Sequence, residues 1–237
     1  MTYNIHSCVG LDGKLAPGRI ARIIRGFDPD IVALQEVDVK RKRSRGEDQA
    51  VRLAGELKME VAFCCTVDQG WEKYGHALLT RFPAEVLVSG LFPAGPGEEP
   101  RGALLAKAYI GGREIFVVNT HLGLRSADRL RQVEILLGKD WLGRLRAAAP
   151  IIICGDLNLT ERSAAYGLLA GRFRDVQRSA RNTKVSSTFP SPLPVSRIDH
   201  VFVSECFQPE QLIVPSNTQT RVASDHLPVI ADLRLLK

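Results

Sequence analysis

The sequence lacks the features that identify several common classes of protein. No apolar run approaches the roughly 20 residues that a membrane-spanning helix needs, and no basic-then-apolar signal pattern opens the chain. The five cysteines are odd in number and have no C-x-x-C spacing, which argues against a disulfide framework and against a zinc site. We therefore expect a cytoplasmic protein with buried thiols and no integral membrane segment.

Two catalytic signatures and one surface feature are also missing. There is no G-x-S-x-G nucleophile motif and no Walker A loop, so a serine hydrolase or a P-loop nucleotidase is not indicated. Aromatic residues make up only 6% of the chain, and none interrupts its densest basic run, "KRKRSR". Base stacking is therefore not predicted at that run. No aromatic hairpin of the kind that enters a membrane is recognisable either, which disfavours a secreted, lipase-like role.

The composition is that of a globular protein with a basic surface. Of the 237 residues, 45% are hydrophobic and 24% are charged, and the formal charge is +6. This length suits one large domain, and we expect a single domain over residues 1–237. The positive charge suits an anionic substrate without identifying it. The run Lys40–Arg45 is equally compatible with a solvated loop and with a rim that contacts phosphate.

Hydrophobic periodicity predicts helices and strands that alternate irregularly. Apolar residues at helical spacing predict four helices, within 16–30, 48–59 and 126–148 and at about 161–170, with Ser126 as an N-cap and Gly171 as a stop. Strand-like runs occur at 30–37, 76–80, 103–110, 114–122, 150–157, 198–204 and 227–236. Gly111 and Gly112 predict a two-residue hairpin. Such an order favours a two-sheet sandwich with helices outside over a doubly wound sheet.

Polar side chains stand at the ends of these apolar strands, and this is the strongest internal clue to function. All five histidines belong to the set. The set comprises Asn4, His6, Glu36, His76, Asn119, His121, Asp156, Asn158, Asp199, His200, Ser224, Asp225 and His226. Each has a structural explanation when taken alone; Asp156, for example, follows Gly155 and would form an Asx turn. Because the pattern recurs at seven strand ends, we expect these residues to form one site.

The residue types indicate metal-assisted chemistry on a phosphate ester. Aspartate, glutamate and asparagine are hard oxygen ligands that suit Mg²⁺ or Mn²⁺. Histidines beside them would donate to a phosphate oxygen or transfer protons near neutral pH. Asp156 and Asn158 are two residues apart in "CGDLNL", so in an extended segment both side chains would face the same way. We therefore expect both to serve a reaction.

The ordered motifs "TYNIH", "LQEVD", "NTHL", "GDLN", "RIDHVFV" and "SDHLPV" resemble the endonuclease/exonuclease/phosphatase superfamily, also called the DNase I-like fold. The resemblance extends from Asn4 to His226. It implies an α/β (α+β) fold, a four-layer αββα sandwich in which two mixed sheets pack face to face under outer helices. It also implies Mg²⁺- or Mn²⁺-dependent hydrolysis of a phosphodiester or a phosphomonoester.

The resemblance further implies a role for each matching residue. Glu36 would be the principal metal ligand, with Asn4 and Asp225 beside it. Asp156 would activate the attacking water, and Asn158 would hold the water or the phosphate. His226 would bind the phosphate, Asp199 would fix the ring of His226, and His121 would be a second donor and possible general acid. Substrate contacts are expected from His76, Arg101 and His6.

Two departures from the family's motifs, together with loops that differ among its members, leave the substrate undetermined. His6 stands where related AP endonucleases carry an acidic residue, and "GHA" stands at His76 where many relatives read "GNA". The leading hypothesis is a phosphodiesterase that acts on nucleic acid or on a phospholipid-type diester. The alternatives are a phosphomonoesterase for an inositol or sugar phosphate and a non-catalytic binding module. The last is disfavoured because the expected catalytic residues are all present. The oligomeric state stays open.

Overall fold

The protein is built on β-strands, seen in a computed structural model that describes residues 1–95, 97–181 and 184–236. The strands are β1 (Thr2–Asn4), β2 (Ile31–Val39), β3 (Glu60–Gln69), β4 (Glu72–Thr80), β5 (Ala84–Leu91), β6 (Gly102–Ile110), β7 (Arg113–His121), β8 (Ile151–Asp156), β9 (Arg174–Asp175), β10 (Asp199–Val203), β11 (Phe207–Ile213) and β12 (Ile230–Leu235). The helices are α1 (Pro17–Phe27), α2 (Gln49–Leu57), α3 (Ser126–Leu137), α4 (Ala164–Ala170), α5 (Val176–Ser179) and α6 (Thr218–Ala223).

The strands form two large mixed sheets and a separate hairpin. The first sheet has the order β1-β2-β4-β3, the second has the order β5-β6-β7-β8-β10-β9, and β11 pairs with β12. Only β1 with β2 and β7 with β8 are parallel pairs among the described residues. In each parallel pair the carboxyl ends of both strands reach the same edge of the sheet.

Three hydrophobic clusters separate four layers. One cluster lies between the two sheets, where Leu78 of the first meets Leu104 and Val117 of the second. A second cluster lies between the first sheet and helices α1 and α2, and a third packs α3 and α4 on the second sheet. Along β6, Leu104 faces the other sheet while Leu105 faces the helices, as the two-residue period of a strand requires. The predicted αββα sandwich is confirmed.

Most predicted elements form, and the differences lie at helix ends and edge strands. The α3 helix ends at Leu137 instead of continuing to residue 148, because Gly138 leaves the helical conformation. Ser126 is the first helical residue, not the N-cap; its hydroxyl accepts a hydrogen bond from Arg129. Gly171 does end α4, and Gly111 and Gly112 form the predicted hairpin turn between β6 and β7 with positive φ angles.

The cysteines and the helices bear on two expectations drawn from the composition. All five cysteines are free thiols, and Cys8, Cys64 and Cys154 are buried. No helix among the described residues combines the length and the apolar character needed to cross a membrane.

A buried polar bridge joins the two sheets. Gln35 of β2 donates to the Asn119 side-chain oxygen of β7 at 2.8 Å. The Asn119 amide nitrogen donates to the carbonyl oxygens of Leu34 and Ala77, at 3.0 and 2.9 Å. Both carbonyls lie where β2 bulges away from β4, so they need a partner outside the ladder. Asn119, one of the polar strand-end residues, therefore supports the fold and does not enter the site.

We expect Asn119→Ala to lower the free energy of unfolding by about 3 kcal/mol, because it takes the side-chain donor away from two buried carbonyls and removes the shortest of the three hydrogen bonds of the Gln35 amide. Urea denaturation monitored by circular dichroism measures this. Gln208→Ala is the control, since among the described residues that side chain bonds only the carbonyl of its neighbour Pro209, and the change should alter stability by less than about 0.5 kcal/mol. Equal effects from the two variants would contradict the bridge.

Candidate functional site

Strand register brings the first group of polar side chains into one row. On the second sheet His121 of β7 lies opposite Asp156 of β8, and Asp156 lies opposite Asp199 of β10. Alternation along these strands places the three side chains on the same face as Val117 and Val201, which is the face toward the other sheet. The row therefore closes the gap between the sheets at one edge, which we call the catalytic edge.

The first sheet contributes Asn4 and Glu36 to the same edge. The Asn4 amide nitrogen donates to Glu36 Oε1 at 3.0 Å and to Asp156 Oδ2 at 3.1 Å, which links the two sheets. Glu36 has a left-handed backbone (φ 57°) at the bulge of β2, where the register with β4 shifts. A bulge re-aims a side chain, and bulges are common beside active sites. Two carboxylates thus share one neutral donor.

The stretch after β8 serves both structure and site. Gly155 has a φ of 149°, and a Cβ there would lie 1.8 Å from the carbonyl oxygen of Thr120, so only glycine fits. Asp156 Oδ1 accepts from the backbone nitrogen of Asn158 at 3.1 Å, which is an Asx turn, while Oδ2 faces the site. Asn158 donates to the carbonyl of Leu122 at 3.0 Å. Asp156 therefore forms the expected Asx turn and also directs an oxygen at the site, while its part in a reaction stays a prediction.

Asp156 is almost completely buried, and its surroundings disfavour its charge. Burial raises its pKa to about 7, and the negative charge of Asp199 acts in the same direction. The positive charge of His226 opposes this rise most, and the Asn4 amide and the Asn158 backbone nitrogen also oppose it by donating to the carboxylate. A buried carboxylate held next to another carboxylate is the type of perturbed group that clusters at functional sites.

His226 and Asp199 form a buried ion pair. Nδ1 of His226 lies 2.8 Å from Asp199 Oδ2, and Nε2 lies 3.5 Å from Asp156 Oδ2. Burial lowers the pKa of His226, but the neighbouring Asp199 carboxylate outweighs burial and raises it to about 10. The ring is therefore an imidazolium at neutral pH, with its Nε2 hydrogen directed into the site. Phe189 packs against it at 4.8 Å between ring centroids.

His121 is held in one neutral tautomer. Arg101 Nη1 lies 3.1 Å from His121 Nδ1, and a guanidinium can only donate, so Nδ1 accepts and the hydrogen is on Nε2. Nε2 lies 3.3 Å from Asp156 Oδ2. Burial and the positive charge of Arg101 hold the pKa of His121 well below its usual range. Arg101 is itself fixed by an ion pair of 2.5 Å with Glu99.

Three of the expected residues stand apart from this centre. Asp225 is partly exposed, and its Oδ1 lies 4.0 Å from Nδ1 of the half-exposed His6, so this pair borders the centre without joining it. His76 is buried in the gap between the sheets, 6.2 Å from the ring of His121, and neither of its nitrogens has a hydrogen-bond partner among the described residues. Burial lowers its pKa to about 3.

The residues at the centre fit a divalent cation. The carboxylates of Asp156 and Asp199 lie close together beside His226, with Glu36 across Asn4 from them; the protonated ring of His226 would not itself be a ligand. Asp199 Oδ1 is buried and has no hydrogen-bond partner among the described residues, which is costly for a carboxylate oxygen. Carboxylate and amide oxygens are the ligands that Mg²⁺ and Mn²⁺ prefer.

Sequence reasoning missed two residues that shape the site. Phe189, which covers His226, sits in the proline-rich stretch "FPSPLPVS", where only the loop was recognisable. Tyr74 is buried where the charges of Glu36, Glu99 and Arg101 all act on its hydroxyl. It precedes "GHA" in β4 by one residue, so its position was adjacent to a recognised signal.

The chain belongs to the endonuclease/exonuclease/phosphatase family, whose model matches residues 1–226. Members of this family are generally phosphoester hydrolases. The protein YbhP of Escherichia coli K12, which is described as uncharacterized, is 29% identical over 164 residues, or 68% of this chain and 63% of that protein. The match thus spans less than two thirds of the length of this curated relative.

Solved structures agree with the fold. A crystal structure of an endonuclease/exonuclease/phosphatase from Beutenbergia cavernae superposes with a TM-score of 0.77 and 27% identity, covering 99% of this chain and 70% of that one. The mannosyl-6-phosphatase Bt3783 of Bacteroides thetaiotaomicron superposes with a TM-score of 0.76 and 21% identity, covering 99% and 98%.

We expect Asp199→Ala to lower the free energy of unfolding by about 3 kcal/mol, because it strands a buried imidazolium. Urea denaturation in EDTA at pH 7 measures this. His226→Ala and the double variant complete a cycle, in which the double variant should cost at least about 1 kcal/mol less than the two single changes together. Strictly additive losses would show that the two groups are not coupled.

Proposed function

We propose that this protein is a divalent-metal-dependent phosphoesterase that hydrolyses a phosphodiester by attack of water. One observation carries the proposal: two sheets converge on a buried centre where Asp156, the imidazolium of His226 and the Asn4–Glu36 pair face one another. A fold does not need this arrangement, because burying like charges together is unfavourable. Such strain is typical of active sites.

The proposed roles follow from the hydrogen bonds. Asp156 Oδ2 orients the attacking water and accepts its proton as the oxygen–phosphorus bond forms. Nε2 of His226 donates to a phosphate oxygen as charge builds there, and Asp199 keeps that ring protonated and oriented. Nε2 of His121 supplies a second, neutral donor. Asn158 has its amide nitrogen committed to Leu122, which leaves its side-chain oxygen for the water.

Glu36 and Asn4 are the proposed metal-binding residues, with Asp225 at the border of the site. A bound Mg²⁺ or Mn²⁺ would supply Lewis-acid polarisation of the phosphoryl group. The proton on the departing ester oxygen comes from the imidazolium of His226, because the neutral ring of His121 can donate a hydrogen bond but would become an imidazolate if it gave up its proton. Arg101 fixes the tautomer of His121, and His6 and His76 are proposed to border the substrate.

A diester is the preferred substrate class because most cations beside the centre are already paired. Arg101 is paired with Glu99, and Arg43 binds Asp38 through two hydrogen bonds of 2.8 Å. The imidazolium of His226, itself paired with Asp199 through Nδ1, is then the cation whose Nε2 faces the phosphate, and so little net positive charge suits a monoanion. A phosphomonoester remains the second candidate, since a mannosyl-6-phosphatase shares the fold.

The test compares bis(p-nitrophenyl) phosphate with p-nitrophenyl phosphate, in EDTA and after Mg²⁺ or Mn²⁺ is restored. We expect metal-restored cleavage of the diester, and about a thousandfold loss of turnover in Asp156→Asn with unchanged circular dichroism. Cleavage of the monoester alone would move the assignment to a phosphatase. Near-normal turnover in Asp156→Asn would remove Asp156 from the chemistry.

We also expect Glu36→Gln to raise the Mg²⁺ concentration for half-maximal activity about tenfold or more, because a neutral amide is a weaker ligand than a carboxylate. Titration of metal-stripped protein measures this. Glu60→Gln is the control, since Glu60 is exposed and pairs with Thr80 at the far end of the first sheet. A metal titration that Glu36→Gln leaves unchanged would place the ion elsewhere.

A further inference from the structure

Large apolar side chains are exposed on three separate loops at the catalytic edge. Trp71 is 82% exposed, Leu193 74%, Leu124 73% and Val195 71%, and these are the four most exposed large hydrophobic residues in the described part of the chain. Single exposed apolar residues are ordinary, but a group around one opening marks an interaction site. We call these four residues the apolar rim.

The strand register places Trp71 at this edge. It lies in the turn between β3 and β4, and Lys73 of β4 pairs with Val39 at the carboxyl end of β2. Glu36 lies three residues earlier in β2, about 10 Å along a strand. The sequence analysis recognised no aromatic hairpin of the kind that enters a membrane; in the structure the tip of the β3–β4 hairpin carries one tryptophan, which projects into solvent.

The other rim residues lie in loops that contact site residues through other positions. Leu124 follows β7 two residues after Leu122, whose carbonyl binds Asn158. Leu193 and Val195 lie in the loop that Phe189 begins, and the ring of Phe189 packs on His226. The backbone nitrogen of Ser191 in that loop donates to the carbonyl of Asp225.

Unpaired cations accompany the apolar rim. Lys40, Lys42 and Arg45 form no ion pair with any residue that the structure describes, and the amine of Lys40 lies 5.7 Å above the Trp71 ring. Acidic residues nearby are neutralised, for Glu72 lies 4.0 Å from Arg41, and Glu98 lies 2.6 Å from Arg125. The sequence of the run "KRKRSR" is compatible with a solvated loop and with a rim that contacts phosphate. In the structure Arg43 binds Asp38 and so supports the fold. The three unpaired cations of the run are exposed to solvent.

Exposed apolar side chains beside unpaired cations match the surface of an anionic bilayer. Tryptophan partitions to the interface between water and lipid, aliphatic side chains enter the acyl boundary, and Lys and Arg are attracted to anionic headgroups. We propose that the catalytic edge docks on an anionic lipid surface through the apolar rim and these cations. The inference rests on the proposed phosphodiesterase function for its consequence, which is that the substrate is a phospholipid-type diester presented by that surface.

A single-stranded nucleic acid accounts for fewer of these observations. It would use the cations and would stack a base on Trp71. It gives no role to Leu124, Leu193 or Val195, which are aliphatic and have no ring for a base to stack on. A flat bilayer, in contrast, contacts separate loops at once without requiring them to form one continuous groove.

The test is co-sedimentation with large unilamellar vesicles in EDTA, so that binding is measured without turnover. We expect the protein to bind vesicles of equal parts phosphatidylglycerol and phosphatidylcholine, and to bind pure phosphatidylcholine more weakly. Tryptophan emission should shift to the blue on binding. Trp71→Ala should abolish that shift, because Trp141, the other tryptophan, is buried in the folded protein.

Matched variants separate the rim from the rest of the surface. Val195→Ser should weaken vesicle binding at least about threefold, whereas Val51→Ser, an equally simple change at an exposed position on α2, should not. Lys42→Gln and Arg45→Gln should each weaken binding about fivefold, the effect of removing one cation near an anionic surface. Arg146→Gln is their control, at the amino end of β8 and away from the catalytic edge.

Three results would overturn the proposal. The first is no binding to anionic vesicles, and the second is an equal loss of vesicle binding in Val195→Ser and Val51→Ser. The third is quenching of Trp71 fluorescence by the oligonucleotide dT12 in a protein that does not bind vesicles. The outcome is independent of the catalytic assay. Vesicle binding without diester cleavage would leave the docking surface standing and reject the proposed activity. Diester cleavage without vesicle binding would support the proposed activity and reject the docking surface.

Discussion

The structure depends on a balance of charge at the point where the two sheets meet. Asp156 and Asp199 lie opposite each other on neighbouring strands, and both are buried. Two carboxylates so placed repel each other, and burial adds a desolvation cost. The imidazolium of His226 lies between them, and the Asn4 amide ties Asp156 to Glu36 on the other sheet. The centre is therefore held together by the same groups that are proposed to act on the phosphate.

The sandwich makes this balance possible because register, not loop flexibility, sets the positions. His121 and Asp156 sit opposite each other on parallel strands, so their backbones are fixed by ladder hydrogen bonds. Close approach of β7 and β8 requires Gly155, where any side chain would collide with the Thr120 carbonyl. The Gln35–Asn119 bridge then fixes the spacing between the sheets. Sites built on strands in this way keep their geometry well.

The fold and the central residues were predictable, because strands ending in polar residues leave a clear pattern. Asn4, Glu36 and Asp156 were named from that pattern. The sequence pattern does not show in which direction each of these side chains points. Asn119 occurs in the same kind of motif but points into the gap between the sheets, which depends on how they face each other. Asp225 adjoins His226 in sequence, yet it lies outside the buried centre because neighbouring side chains point to different sides.

Exposure is the property that the linear sequence hides most completely. Trp71 and Leu193 are apolar, so composition alone assigns them to a core, while their positions at a turn and in a proline-rich loop leave them in solvent. A protein gains nothing in stability from such exposure, since burying each would remove apolar area from water. Trp71 lies beneath the amine of Lys40, and Leu193 lies in the loop whose Phe189 packs on His226. These positions around the catalytic edge are explained if the surface that presents the substrate supplies the missing apolar contact.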